Sequence, residues 1–220
     1  MNAAKIIEIL EKEYGTCNQH EIEDPVDVLI RTILSQNTSE INSQRAFSAL
    51  KTNFSSWQSV ASAPVERIAE VIKCGGLFRV KAARIKKILE QIETQQGSIS
   101  LDFLRSKSGE EAKTYLMHLP GVGYKTASCV LLFSLGKAYL PIDTHIFRVA
   151  KRLGLVDSRT SVKKAHELLQ EMIPEGKIYQ FHLQMIRHGR QVCRAHRPRC
   201  ERCALSTVCP SAILHNRNAK

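Results

Sequence analysis

Apolar residues recur along most of the chain at spacings of three and four, the period that gathers them on one face of an α-helix. The opening residues, MNAAKIIEILEKEYG, mix acidic and apolar positions in that rhythm. Val26 to Leu34 (VDVLIRTIL), Ile41 to Leu50, Pro64 to Ile72 and Val80 to Ile92 repeat it. The same pattern predicts helices over Glu110–His118, Lys125–Leu135, Thr144–Leu153, Ser161–Ile173 and Tyr179–Arg190. Pro64 stands where a first helical residue would, a position at which its missing N–H leaves no bond unmade. Gly75-Gly76 closes the helix before that long segment, and Gly97 ends the segment itself. No stretch alternates with the period of two that a strand requires, so the predicted fold class is all-α.

Composition agrees and adds a partner. Of 220 residues, 43% are apolar but only 6% aromatic, a mix that suits helices better than a β-sandwich. No Gly/Ser/Pro-rich run marks a linker. Lys and Arg number 32 against 21 Asp and Glu, a net charge of +11. Such a surface calls for a polyanion, nucleic acid before an anionic membrane. No apolar run approaches the roughly 18–20 residues of a spanning helix. The N-terminal segment has neither the basic-then-apolar order of a secretory signal nor the Arg-rich, acid-poor pattern of a transit peptide. An intracellular, soluble protein with no membrane partner is expected.

Seven cysteines narrow the chemistry. Cys17, Cys74 and Cys129 are scattered through apolar or mixed contexts and read as small buried thiols. Cys193, Cys200, Cys203 and Cys209 crowd together as C-x6-C-x2-C-x5-C, which in a reducing compartment indicates a metal centre rather than disulfides. Spacing leaves the metal open. Structural zinc sites usually combine two close pairs, and only Cys200 and Cys203 form one; four thiolates hold an iron–sulfur cluster equally well. Around them stand Arg187, Arg190, Arg194, Arg197, Arg199, Arg202, Arg217 and Lys220 against the single acid Glu201. A charge run is usually a solvated face, but a metal loop would fix these side chains for phosphate contact.

The most informative stretch is LPGVGYKTA, Leu119 to Ala127, a tight connection between two apolar helices. Gly121 and Gly123 let the backbone bend and approach another surface closely. The unpaired N–H groups opening the second helix, with the positive end of its dipole behind them, suit a phosphate. Lys125 follows at once, and a lysine beside a phosphate turn reads on its own as a phosphate contact. Asp143 precedes the helical segment THIFRVAKRLG and is placed to cap it.

LPGVGYKTA, then Pro141-Ile142-Asp143-Thr144-His145-Ile146-Phe147-Arg148-Val149, then the four-cysteine tail resemble in content and order the endonuclease III family of DNA glycosylases, helix-hairpin-helix enzymes of base-excision repair. The similarity runs from about Asp24 to Pro210. It implies a [4Fe–4S] cluster on Cys193, Cys200, Cys203 and Cys209. It also implies two helical domains: 23–137, a barrel carrying the hairpin at about 110–135, and 1–22 with 138–220, around the cluster loop at 193–209. Duplex DNA would lie across the cleft between them. The implied enzyme is a monomeric, bifunctional DNA N-glycosylase and abasic-site lyase, cytoplasmic or nucleoid-associated, acting on oxidised pyrimidines or abasic sites. Lys125 would be the Schiff-base nucleophile, and Asp143 would stabilise the developing positive sugar and assist proton transfer. Reaching a base in a duplex requires extruding it. Leu77, in Gly75-Gly76-Leu77-Phe78-Arg79, corresponds to the family's wedge, and Gln36, in Leu34-Ser35-Gln36-Asn37-Thr38, to the residue that fills the vacated stack. Gly121, Val122 and Gly123 would grip the backbone. Ser39 and Met117 stand where several members carry carboxylates, which puts the base preference in question. Two alternatives remain: a glycosylase of the same fold for mismatched or alkylated bases, and a non-enzymatic DNA-binding protein whose cysteines hold zinc.

Overall fold

Side-chain caps start most of the helices in the computed structural model, which describes residues 3–17 and 22–213. Arg217 and Lys220 lie outside that range. Asp24 accepts from the Val26 and Asp27 N–H groups, both at 2.9 Å, and opens α2 (Pro25–Ser35). Ser39 opens α3 (Glu40–Asn53), and Ser56 opens α4 (Trp57–Ser62) through a reciprocal capping box. α5 (Val65–Val71) and a 3₁₀ turn at Lys73–Gly75 lead into α6 (Phe78–Gln96), which Gly97 closes in the left-handed conformation. A second 3₁₀ turn, Asp102–Arg105, precedes α7 (Gly109–Met117), again started by a capping box at Ser108. The chain continues through α8 (Tyr124–Ser134), α9 (Thr144–Leu153), α10 (Val162–Met172) and α11 (Ile178–Gln191); α1 covers Ala3–Tyr14. Among the described residues there is no strand, and the fold is all-α as the periodicity predicts. None of their helices is long and apolar enough to cross a membrane.

The chain divides into two compact units, Ile22–Lys137 and Met1–Glu21 with Ala138–Lys220. In the first, α2 packs on α3, α6 and α8, and α6 is flanked by α4 and α5. Leu29, Ile30, Ile33, Ile85, Ile88 and Leu89 are fully enclosed in its core. In the second, α11 packs against both α1 and α9, enclosing Ile6, Leu10, Phe181 and Met185.

Three local expectations need correction. α4 is absent from the predicted elements, because six residues are too few to display a period. Pro64 is the residue before α5 rather than its first, with ψ 143° in the extended region. Cys74 is exposed and Cys17 half-buried, so of the three scattered thiols only Cys129 is buried. Cys74 lies in the 3₁₀ turn between α5 and α6, off the apolar face of either helix.

Candidate functional site

Within Ile22–Lys137, three loops converge at the start of α6. Gly76 (φ +65°) delivers Leu77 into the left-handed region, φ 48° and ψ 31°, with the side chain 56% exposed. That backbone costs a leucine about 1–2 kcal/mol, and the exposure rules out the apolar cap contact that would compensate for it. Beside it runs the α2–α3 loop, where a Cβ built on Gly76 would meet Thr38 Oγ1 at 3.7 Å and the Asn37 carbonyl oxygen at 3.8 Å. Asn37 itself has φ 51°. Gln36 ends α2, and its Oε1 accepts from Arg84 Nη1 at 2.7 Å.

Two cations on α6 hold these loops. Lys81 is 2% exposed, and its Nζ donates to the carbonyls of Leu34 (2.7 Å) and Gly75 (2.8 Å). The end of α2 is thereby tied to the turn that presents Leu77. Burial pushes the Lys81 pKa down, and the neighbouring Arg84 charge adds to the effect. Arg84, almost one turn further along, binds Gln36 and lies against the hairpin: a Cβ at Gly121 would fall 2.3 Å from Arg84 Nε.

The hairpin is a tight turn in which Val122 N–H donates to the Leu119 carbonyl at 3.1 Å. Pro120 followed by Gly121 at φ +70° is the type II pattern. Leu119 and Val122 are buried and anchor the turn, whereas Gly121 and Gly123 face outward. The two glycines have different reasons. Gly121 needs its positive φ and clearance for Arg84, while a Cβ at Gly123 would meet nothing within 4 Å. Gly123 precedes α8 with no side-chain cap, so the opening N–H groups of that helix face a site without a Cβ in the way. Lys125, half-buried, is the second residue of α8.

In the other unit, Asp143 caps α9: its Oδ1 accepts from Ile146 N–H at 2.8 Å, which holds the carboxylate in one rotamer. The same helix reaches the cysteine loop through two arginines. Arg148 donates from Nε to the Cys193 carbonyl (3.1 Å) and from Nη2 to that of Gly189 (2.8 Å). Arg152 donates to the carbonyls of Arg194 (2.6 Å) and Ala195 (3.0 Å) and to Cys193 Sγ (3.4 Å). Its own carbonyl accepts from Cys209 Sγ at 3.3 Å and Ser211 Oγ at 3.0 Å.

Cys193, Cys200, Cys203 and Cys209 are free thiols lining one cavity of about 210 Å³, with Arg152 and His188 also in its wall. Burial raises the Cys203 pKa to about 11 and raises that of Cys200, where the neighbouring thiols add to it. Among the described residues, no three His, Cys, Asp or Glu side chains are grouped to hold a single ion. Arg187, Arg190, Arg194, Arg197, Arg199 and Arg202 are arrayed around this loop, and all six are exposed.

The family model of HhH-GPD superfamily base excision DNA repair proteins matches residues 30–175. Endonuclease III of Thermotoga maritima is 35% identical over 190 residues, which is 86% of this chain and 84% of that protein. The chain belongs to the endonuclease III family of DNA glycosylases. A candidate DNA glycosylase of Arabidopsis thaliana is 42% identical over 175 residues, 80% of this chain, and the matched region spans 60% of that protein's length. The solved structure of a trapped endonuclease III–DNA covalent intermediate matches with a TM-score of 0.83 at 26% identity, covering 99% of this chain and 100% of that one.

Against this endonuclease III background, Gln36, Leu77 and the hairpin glycines fall in one unit and are linked through α6, and Lys125 belongs to the same unit. Asp143 and the four cysteines fall in the other. Ser39, one of the two departures, has a structural role, because it caps α3 by accepting from Asn42 N–H at 3.3 Å. Met117 is 42% exposed at the end of α7. The residues that sequence reasoning missed are the staples, Lys81, Arg84 and Arg152. One of them left a signal. Lys81 stands four before Ile85 and seven before Ile88, on the stripe that α6 buries, where a lysine needs partners.

Proposed function

We propose that this chain flips a damaged base, an oxidised pyrimidine first, out of duplex DNA, cleaves its N-glycosidic bond through a lysine Schiff base and nicks the strand by β-elimination. The observation that carries this reading is Lys125 on the first turn of α8, directly after an uncapped, outward-facing hairpin. A phosphate held by the α8 N–H groups beside Gly121, Val122 and Gly123 would set the neighbouring sugar against the Lys125 amine. The neutral Nζ attacks C1′, the C1′–N bond breaks, and the electron pair leaves with the base. The C1′–O4′ bond then opens, O4′ taking up the proton that the amine has shed, and the resulting iminium makes the C2′ proton acidic; its removal expels the 3′ phosphate. Asp143, oriented by its cap bond, stabilises positive charge on the sugar and moves the proton that the amine sheds. Leu77, already turned outward, wedges into the duplex, and Gln36, held by Arg84, fills the gap left by the flipped nucleotide.

The four thiols fit a [4Fe–4S] cluster: Cys193, Cys200, Cys203 and Cys209 all line one shared cavity, as the four-thiolate ligand set of such a centre requires. When bound, the cluster supplies a four-point cross-link and a redox-active centre. The chain's own contribution is to present Arg194, Arg197, Arg199 and Arg202 on that loop for the phosphate backbone. The enzyme would act as a monomer inside the cell.

The experiment is a panel of duplexes, each with one lesion or an abasic site, scored separately for base release and strand cleavage and repeated with borohydride. Wild type should release oxidised pyrimidines and become covalently trapped; Lys125→Gln should bind DNA without trapping or cleavage. Trapping by Lys125→Gln would overturn the nucleophile assignment. Release confined to mismatched or alkylated bases would move the enzyme to the other substrate class.

A further inference from the structure

Helix α1 reaches the cysteine cavity through a two-step hydrogen-bond path. Tyr14, the last residue of α1, places its hydroxyl 2.8 Å from His188 Nδ1. His188, 2% exposed near the end of α11, places Nε2 3.5 Å from Cys203 Sγ. The tyrosine and histidine rings meet edge to face at 6.0 Å, and the Arg187 guanidinium covers the tyrosine ring at 4.9 Å. All these residues belong to the unit Met1–Glu21 with Ala138–Lys220. Neither Tyr14 nor His188 has a place in the steps of base release.

We propose that His188 donates a hydrogen bond from Nε2 to the sulfur of Cys203 when that sulfur is a cluster ligand, and that Tyr14 fixes the tautomer that makes this possible, so that α1 sets the reduction potential of the centre. The inference rests on the reading of the four cysteines as iron–sulfur ligands. A neutral imidazole carries one N–H and one acceptor nitrogen. A ligating Cys203 is a thiolate with no proton to give, so the Nε2 contact is a bond only if Nε2 carries the hydrogen. Nδ1 is then the acceptor, and buried acceptors need a donor; the Tyr14 hydroxyl is in place to be that donor. The reverse direction would need an S–H that the ligand lacks. Donors therefore point inward at each step, from Tyr14 to His188 to Cys203. A hydrogen bond to a ligand sulfur stabilises the added negative charge of the reduced state and raises the potential. His188 and Tyr14 are positioning residues for the cluster.

The test uses iron-loaded full-length protein without DNA, with iron and sulfide counted per chain and the midpoint potential read by spectroelectrochemical titration. His188→Leu removes the donor. The expected result is a tenfold change in the reduction equilibrium, a negative shift of about 59 mV for one electron. His188→Gln offers an amide N–H near the position of Nε2 and should restore most of the wild-type potential. Tyr14→Phe keeps the ring packing, loses the hydroxyl and should give a smaller negative shift at unchanged iron content. A loaded His188→Leu protein at the wild-type potential overturns the proposal. So do equal shifts from His188→Leu and His188→Gln, which would indicate packing alone. Should neither histidine variant take up iron, Tyr14→Phe decides, and an unchanged potential overturns it. A wild-type protein that binds zinc in place of iron and sulfide overturns the cluster reading itself; a loaded wild type with unshifted variants overturns only this inference.

Discussion

The region around α6 and the cysteine loop are assembled by the same device and end with opposite degrees of independence. In both, long cations on a helix donate to backbone carbonyls of neighbouring loops: Lys81 to Leu34 and Gly75, Arg148 and Arg152 to Cys193, Gly189, Arg194 and Ala195. Around α6 the loops are short and flanked by helices with enclosed apolar faces, so the staples complete a structure that already has a core. The cysteine loop has one three-residue 3₁₀ turn, Cys200–Arg202, and few enclosed apolar side chains, Leu205 among them. Burial raises the pKa of the Cys200 and Cys203 thiols. A carbonyl staple can position a loop, but only apolar burial or a metal can keep it folded against conformational entropy.

The sharpest way to break this comparison is to remove the proposed cluster. Cys203→Ser, or iron chelation, should bleach the protein and open residues 193–209 to trypsin at their arginines. DNA affinity should fall about tenfold or more as those arginines lose fixed places. The Ile22–Lys137 unit should stay protease-resistant, as mapped by mass spectrometry of the fragments; simultaneous digestion of both units would show that α6 and its loops depend on the metal too.

Next in size is Lys81→Met, which keeps the volume but leaves the carbonyls of Leu34 and Gly75 without their donor. Stability should drop by about 2–4 kcal/mol in urea melts. Base release should slow as the turn presenting Leu77 loosens, while the visible absorption of the cluster stays unchanged.

The two hairpin glycines separate folding from binding. Gly121→Ala must hold φ +70° and displace Arg84, and should cost about 1–3 kcal/mol. Gly123→Ala meets open space, so its melt should shift by less than about 0.5 kcal/mol. Its DNA affinity should nonetheless fall, because the added methyl stands where a phosphate must approach. Equal melts for the two variants would refute the distinct roles given to these glycines.

The smallest effect concerns acid. His166 is buried in α10 and its pKa is lowered by that burial. The unfolded chain takes up a proton near pH 6.5 that the folded chain refuses. Stability should therefore fall as pH drops below about 6.5, by at most about 1.4 kcal/mol per pH unit from this group. His166→Gln should flatten that part of the slope, read from urea melts at several pH values between 7.5 and 5.

Much of this organisation is legible in the chain because its signals are local. α9 runs over Thr144–Leu153 as its periodicity predicts, since Asp143 before it and Gly154 after it fix both ends within a few residues. LPGVG announces its turn for the same reason: Pro120 and Gly121 determine the backbone without help from elsewhere. The staples are not legible in that way. Arg84 reads as a surface cation on a basic helix, and only the fold brings Gln36, 48 positions away, to its guanidinium. Arg152 likewise sits in a run of basic residues whose ordinary meaning is solvent exposure, and its carbonyl partners lie more than 40 residues downstream. Periodicity places an element, whereas the bonds that join elements depend on which loops arrive opposite.

Arg152 has a further consequence, for the order of maturation. Its guanidinium reaches Cys193 and the two residues after it, and its carbonyl receives Cys209 and Ser211. One residue at the end of a helix thus gathers the first and last thiols of the set. Closing a loop of that length is an entropic step that an incoming metal would otherwise have to drive. With α9 formed, the two ends of the loop are held together, and what remains is for the proposed cluster to order the residues between them. Helix first and inorganic centre last is the sequence of events this arrangement favours, so without iron the loop would stay tethered at its ends while the arginines between them lie open.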